Sequence, residues 1–149
     1  MNEKLYIVAH ERGFGPDPLP TWTDQYGEVN PFEENAPEDT NRVDIPAVPG
    51  AFQILKLLSE KESDNIVKIA EELGFHEDSP VSLSRDIRHN DNLNWVVSEF
   101  IDEVLWTRSK DWITESFREQ SAKGMNARFR FYRYNTGDYF KPHTDGGWP

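Results

Sequence analysis

Cysteine is absent from this chain of 149 residues, so disulfide scaffolds, thiolate metal sites and cysteine nucleophiles are all excluded. A reducing compartment is thereby permitted. Long apolar runs are missing too. The opening Met1-Asn-Glu-Lys-Leu-Tyr-Ile-Val8 is too short for a secretory leader, and no later stretch approaches a membrane span. Basic residues are scarce, with 16 Lys and Arg against 27 Asp and Glu and a formal net charge of -11. That balance argues against broad binding to nucleic-acid backbones and against docking on anionic membranes, because both need clustered cations. The expectation is an acidic, cytoplasmic protein.

What the chain does have is rings. Aromatic residues make up 13% of it, and a length of 149 residues suits one domain with one core. Its charge is unevenly spread. Residues 1–50 hold 3 basic and 10 acidic side chains, and residues 51–109 hold 6 and 12. Residues 110–149 reverse the sign, with 7 basic against 5 acidic. An anionic ligand is therefore expected to bind toward the C-terminal part.

Two stretches follow from the patterning. Residues 1–47 read as a strand over Leu5 to Ala9 followed by a long acidic loop. Residues 13–49 are rich in Pro, Gly, Asp, Glu and Asn, and carry no apolar period beyond one short element near Trp22–Tyr26. The acid-rich run from Glu28 to Asp44 reads as solvated surface. From residue 48 the patterning is regular. Phe52, Ile54 and Leu55 predict a strand. Ser59 and Glu62 have capping-box spacing ahead of Ile66, Ile69, Ala70 and Leu73, and Gly74 supplies the stop. Leu93, Val96, Val97, Phe100, Ile101, Val104 and Leu105 predict a second helix, and Trp112, Ile113 and Phe117 a third that ends before Gly124. The period then becomes two. Ala127-Arg-Phe-Arg-Phe-Tyr-Arg-Tyr134 puts Phe129 and Phe131 on one face and Arg128, Arg130, Tyr132 and Tyr134 on the other. A turn at Asn135-Thr-Gly-Asp138 leads to a strand from Tyr139 to Thr144, so a hairpin is expected.

His143-Thr-Asp145 is the triplet with chemistry in it. Residues two apart on a strand project to the same side, about 6–7 Å apart, so an imidazole and a carboxylate converge there on one metal ion. Nitrogen and oxygen donors suit Fe(II), Zn or Mn, and without a third ligand the pair does not choose among them. By itself the triplet is more often a surface His hydrogen-bonded to an Asp than a metal site.

Its context carries more. The run Arg130-Phe-Tyr-Arg-Tyr-Asn-Thr-Gly-Asp-Tyr-Phe-Lys-Pro-His-Thr-Asp-Gly146 resembles the first metal-binding strand pair of the Fe(II)/2-oxoglutarate-dependent dioxygenases, and within them the prolyl 4-hydroxylase-like branch. Val48-Pro-Gly-Ala-Phe through Gly74-Phe75, Arg88-His-Asn-Asp91, the helix ending at Leu105-Trp106, and Gly124-Met-Asn-Ala-Arg128 are similar to landmarks of that branch. The resemblance covers residues 48–149. It implies an α/β (α+β) fold in which supporting helices precede the first strands of a double-stranded β-helix, or jelly roll. It further implies hydroxylation of a C–H bond, on a prolyl or other peptidyl substrate or a small molecule. 2-Oxoglutarate and dioxygen are consumed, succinate and CO2 are released, and ascorbate sustains turnover in relatives. His143 and Asp145 match the family's proximal His and carboxylate ligands, and Tyr134 matches a tyrosine of the co-substrate pocket. Tyr139 is a further pocket candidate and Tyr132 shares the side of Tyr134, although ordinary sheet packing explains tyrosines here equally well. Arg128 and Arg130 either offer charge to an anion or lie solvated on the strand face, as strand arginines more often do.

The family's distal His and its basic partner for 2-oxoglutarate lie well beyond the H-x-D triplet, and a double-stranded β-helix needs about eight strands. After Asp145 this chain has Gly146, Gly147, Trp148 and Pro149. The expectation is therefore the N-terminal part of such a domain, incomplete and inactive as 149 residues alone. His10, His76 and His89 are poor substitutes for the missing ligand. Two other readings compete. One is a non-catalytic, acidic protein-interaction module. The other is a two-metal hydrolase, for which Asp138 is the nearest additional carboxylate.

Overall fold

The computed structural model describes residues 4–13, 15–77, 86–114, 116–117 and 119–143. They form a mixed α+β fold, mostly strands with two helices, and no closed barrel is present among the described residues. In chain order the elements are β1 (Leu5–Arg12), β2 (Pro18–Asp24), β3 (Asn41–Asp44), β4 (Phe52–Leu55), α1 (Glu60–Leu73), β5 (Arg88–His89) and β6 (Asp91–Val96). There follow α2 (Glu99–Ser109), β7 (Ser116–Phe117), β8 (Gln120–Ser121), β9 (Arg128–Arg133) and β10 (Tyr139–Phe140), with a 3-10 turn over Lys110–Trp112. No helix among the described residues is long and apolar enough to cross a membrane.

The main sheet has the order β1-β2-β6-β9, with β2 and β6 parallel and the other pairs antiparallel. Alternation gives it two unlike faces. Trp22, Trp95 and Phe129 form one cross-strand row, and Leu93 and Phe131 another beside it. This apolar face meets Ala70 and Leu73 of α1 and Ile101 and Leu105 of α2 in a single core. Trp95 and Phe131 stack there with centroids 6.0 Å apart. The opposite face carries Thr21, Asn94 and Arg130 in one row and Asn92 and Tyr132 in the next.

The strand over Leu5–Ala9 is present and longer than its expected span. Around Ser59 the capping box is complete, and Gly74, at φ 86, ends α1 with its N–H on the Ala70 carbonyl. Four expectations are corrected. Residues 13–49 are not one loop. They supply β2 to the middle of the sheet and β3 to a pair with β4. The apolar period was hidden by Pro18 and Pro20, which lie where β2 is paired with β1 alone. Leu93 and Val96 belong to strand β6, and the second helix starts only at Glu99. After the 3-10 turn, Ser116–Phe117 pair antiparallel with Gln120–Ser121, as β7 and β8, where a third helix is expected. Finally, β10 does not form a hairpin with β9. It pairs antiparallel with β5, so Tyr139 faces His89 and Phe140 faces Arg88.

The acid-rich run is tied down as well as solvated. Asn30 to Glu33 dock on the start of α1, where Glu33 accepts hydrogen bonds from Ser59 Oγ at 2.7 Å and Lys61 Nζ at 2.9 Å. At the centre of this junction lies Glu62, whose side chain is fully buried. It accepts N–H bonds from Ser59 and Glu33, both at 2.9 Å, and a two-pronged contact from Arg108 of α2 at 2.8 and 2.9 Å. Burial pushes the Glu62 carboxyl up. The Arg108 bonds, the two backbone donors and the Arg108 charge together outweigh it and hold the pKa at about 2, below the ordinary 4.5.

Removing one partner from a buried pair leaves the other uncompensated, so Glu62→Gln is expected to cost about 3 kcal/mol of unfolding free energy at pH 7. Because the folded-state pKa is depressed, the stabilisation from Glu62 is complete above 4.5 and is lost as pH falls toward about 2. Urea unfolding at pH 7 and pH 3 checks both points. Parent and variant should converge at low pH, and a gap that stays constant would contradict the assignment.

Candidate functional site: a basic aromatic face beside His143

The polar face of the main sheet is built from β9 outward. Arg128, Arg130 and Tyr132 project away from the core because Phe129, Phe131 and Arg133 occupy the alternate positions. Under them lie Thr21, Asn92 and Asn94, all buried. Asn94 Oδ1 has no hydrogen-bond partner among the described residues, an acceptor suited to a water or to a donor on a ligand. Arg128 is held by Glu11 at 2.9 Å, and Thr21 Oγ1 donates to the other oxygen of Glu11 at 2.5 Å. Burial raises the Glu11 carboxyl, but these bonds and the charges of Arg128 and Arg130 leave it below the usual carboxylate range. Arg130 is half-buried. Its guanidinium is pushed down by burial and by the neighbouring charges of Arg88 and Arg128.

The second wall comes from the β5–β10 pair. It is extended by the Lys141 N–H on the Ile87 carbonyl at 2.9 Å. The turn before it is closed by Asp138, whose N–H reaches the Asn135 carbonyl at 3.0 Å. Oδ2 of Asp138 accepts the Asn135 N–H at 2.6 Å, and Oδ1 lies 2.6 Å from His89 Nδ1. The Asn135 N–H and then the His89 contact hold the Asp138 carboxyl below its ordinary value. Gly137 sits at φ 92, where a side chain would be strained.

Arg88 joins the two walls. Its Cζ lies 4.6 Å from the ring centres of both Tyr132 and Phe140, while Arg130 Cζ approaches the same Tyr132 ring at 5.4 Å. Phe140 in turn stacks on the His143 imidazole, with centroids 3.9 Å apart and planes 24° apart. Contacts thus run without interruption from His143 through Phe140, Arg88 and Tyr132 to Arg130.

His143 is exposed at the surface end of this run. Its Nδ1 lies 3.0 Å from the Lys141 carbonyl, which can only accept, so Nδ1 is the donor in that contact. Asp145 lies outside the described residues. Tyr134 falls just past β9 with 46% of its surface exposed, and Tyr139, at 38%, stacks on His89 with Lys141 Nζ 5.4 Å from its ring. The backbone of His76 is bridged to Asn92, and His10 is exposed on the edge strand β1. Among the described residues, no three His, Asp or Glu side chains gather into a group that could hold a metal ion. Both carboxylate oxygens of Asp138 are engaged within its own turn and with His89, which weakens the two-metal hydrolase reading. Arg88 is the residue that sequence reasoning missed. Its partner Phe140 lies 52 positions away, beyond the reach of any local pattern. Comparison of the chain with protein-family models, curated proteins and solved structures gives no match.

Asp138→Ala is expected to release the turn at residues 135–138. Hydrogen exchange at the Asn135 amide should accelerate several-fold while that of α1 stays unchanged. Unaltered protection at Asn135 would mean that Asp138 does not hold the turn.

Proposed function

We propose that the chain carries the iron and co-substrate side of an Fe(II)- and 2-oxoglutarate-dependent dioxygenase of the prolyl 4-hydroxylase-like branch, with β9 and β10 as opening strands of its jelly roll. One observation carries the reading. The His of an H-x-D triplet has its Nδ1 beside a backbone carbonyl and its ring stacked on Phe140, next to a cationic aromatic face. Metal-bound histidines commonly donate their second ring N–H to a carbonyl or carboxylate in this way.

The donor chemistry fits the group. His143 Nε2 and the Asp145 carboxylate would hold Fe(II), with open positions left for 2-oxoglutarate and dioxygen. When bound, the iron supplies the oxygen activation that lets an unactivated C–H bond be hydroxylated as 2-oxoglutarate is decarboxylated to succinate. The chain's own residues do the rest. Phe140 packs on the His143 ring and fixes its plane. Tyr134 and Tyr139 are the candidates to line the co-substrate. The Arg88, Arg128 and Arg130 face draws a dianionic acid to one part of an otherwise acidic molecule. A reducing, cytoplasmic setting with ascorbate suits an Fe(II) site. The substrate class remains the prolyl, peptidyl or small-molecule C–H bond that the branch implies.

In the whole protein, His143→Ala and Asp145→Ala are each expected to abolish Fe(II)-dependent succinate formation from 2-oxoglutarate, and retained turnover in either would sink the ligand assignment. Tyr134→Phe is expected to weaken 2-oxoglutarate binding several-fold while metal affinity stays unchanged. Equal affinity for 2-oxoglutarate would make Tyr134 a packing residue.

A further inference from the structure

We infer that the groove between residues 30–36 and α2 is a docking site for a basic segment of a partner protein, one that carries lysine or arginine beside apolar side chains. The inference is independent of the dioxygenase reading. The groove lies with the helices on the dry side of the main sheet, whereas Arg128, Arg130 and Tyr132 project from the other side.

Shape is the first argument. Helix α2 turns Ile101 and Leu105 to the core. Phe100, Glu103, Val104 and Thr107 recur at helical spacing and make a second stripe that lines the groove. Opposite them run Phe32, Glu33 and Glu34, held in place because Glu33 is bonded to Ser59 and Lys61 at the start of α1. The two walls bound an open hollow of about 530 Å³, within the range of ligand sites. Its floor is mainly apolar. Phe32 and Phe100 meet edge to face with centroids 6.2 Å apart, and Val104 lines the same hollow, half-buried and outside the main core. Both rings are fixed by neighbours. Tyr26 packs edge-on to Phe100 at 6.5 Å, and Arg108 Cζ lies 5.1 Å from the Phe32 ring centre. A floor fixed beforehand lowers the ordering cost of binding.

Charge is the second, and it chooses the occupant. The ionisable side chains of the groove are Glu33, Glu34, Glu103 and Arg108. The charge of Arg108 is matched by the buried Glu62, and that of Glu33 by Lys61. Glu34 and Glu103 are exposed, one on each wall, and neither has a hydrogen-bond or ion-pair partner among the described residues. A cation seated between the walls meets two uncompensated carboxylates, whereas an anion meets repulsion. The occupant must therefore join positive charge to apolar surface. Lysine and arginine do so, laying methylene stems on apolar surface while their heads reach outward to charge. A protein segment satisfies both walls at once, since two carboxylates and a floor of two rings and a valine accommodate several side chains. The formal net charge of -11 steers such a segment toward the chain.

The probe is the blocked, fluorescein-labelled peptide Leu-Lys-Lys-Leu-Leu-Lys-Lys-Leu, titrated with the whole protein while fluorescence anisotropy is read. The parent is expected to bind it, and to bind Ser-Lys-Lys-Ser-Ser-Lys-Lys-Ser at least about tenfold more weakly. Glu34→Lys and Glu103→Lys should each weaken the leucine peptide several-fold and together about tenfold, the scale of exposed ion pairs, at parental melting temperature. Val104→Ser should weaken it several-fold with no change in charge. Glu72→Lys makes the same charge reversal at an exposed position of α1 outside the groove, and should leave affinity near the parental value. A parent that does not bind the leucine peptide, or that binds the serine peptide equally well, would overturn the inference. So would a double variant that melts like the parent and binds as tightly. Equal weakening by Glu72→Lys would reduce the effect to net charge and also overturn it. Displacement of the peptide by an equal concentration of butylamine would make the groove a small-amine site and overturn the protein partner.

Discussion

Glu62 joins three parts of the chain that are distant in sequence. Its carboxylate closes the capping box at Ser59, accepts the Glu33 amide and meets Arg108 from the far end of α2. A fully buried charge is costly unless every lone pair is used, and here four donors surround the two oxygens. The result is geometric as much as energetic. The start of α1 is set against the end of α2, and residues 30–33 are laid across both. With the helices so placed, Ala70, Leu73, Ile101 and Leu105 present one apolar surface to the sheet. A carboxylate plays a similar part at the other end of α2. Asp24 Oδ1 accepts the Ser98 amide and the Trp95 indole N–H, both at 2.9 Å, because Ser98 makes no side-chain cap of its own.

With the helices on one side, the main sheet has a dry face and a polar one. Burial of Trp22, Leu93, Trp95 and their neighbours stabilises the fold through the dry face. The polar face works against it. Thr21, Asn92 and Asn94 are buried there without an apolar return, and Asn94 Oδ1 lacks a partner among the described residues. A strand that is central to the sheet and yet carries Asn at alternate positions is poor core material. It makes sense as the floor of a polar site, where desolvated amides and guanidiniums are arranged ahead of a ligand.

The same division explains what could be read from the sequence. Helix α1 was legible because all its signals are local: a capping box, an apolar stripe and a terminal glycine within 16 residues. Strand β9 was legible because its two faces differ so sharply in polarity that the period of two is visible. Strand β6 was not. Leu93, Val96, Val97 and Phe100 fall by accident at helical spacing, while Asn92 and Asn94, buried on the polar face, look like solvent positions. Only Leu93 and Trp95, alternating with them, betray the period of two. In β2 the prolines mask the strand. Pairing of β10 with β5 connects positions about 50 apart, so no window reveals it, and with it Arg88 stayed hidden. Period two did place Arg128, Arg130 and Tyr132 on one side of β9. That they meet Arg88 and Glu11 there is tertiary information.

What distinguishes this face electrically is the crowding of its arginines. Arg88 and Arg128 both act against the charged form of Arg130, as like charges at close range do. Glu11 offsets that for Arg128, and the ring of Tyr132 offsets part of it for Arg88 and Arg130, since cation–π contact contributes about 0.5–2 kcal/mol. Because Phe140 ties Arg88 to His143, the position of that guanidinium and the position of the imidazole are set by the same β5–β10 pairing. The turn that Asp138 closes is therefore part of the site's construction, although Asp138 itself contacts only His89 and Asn135 in the geometry described.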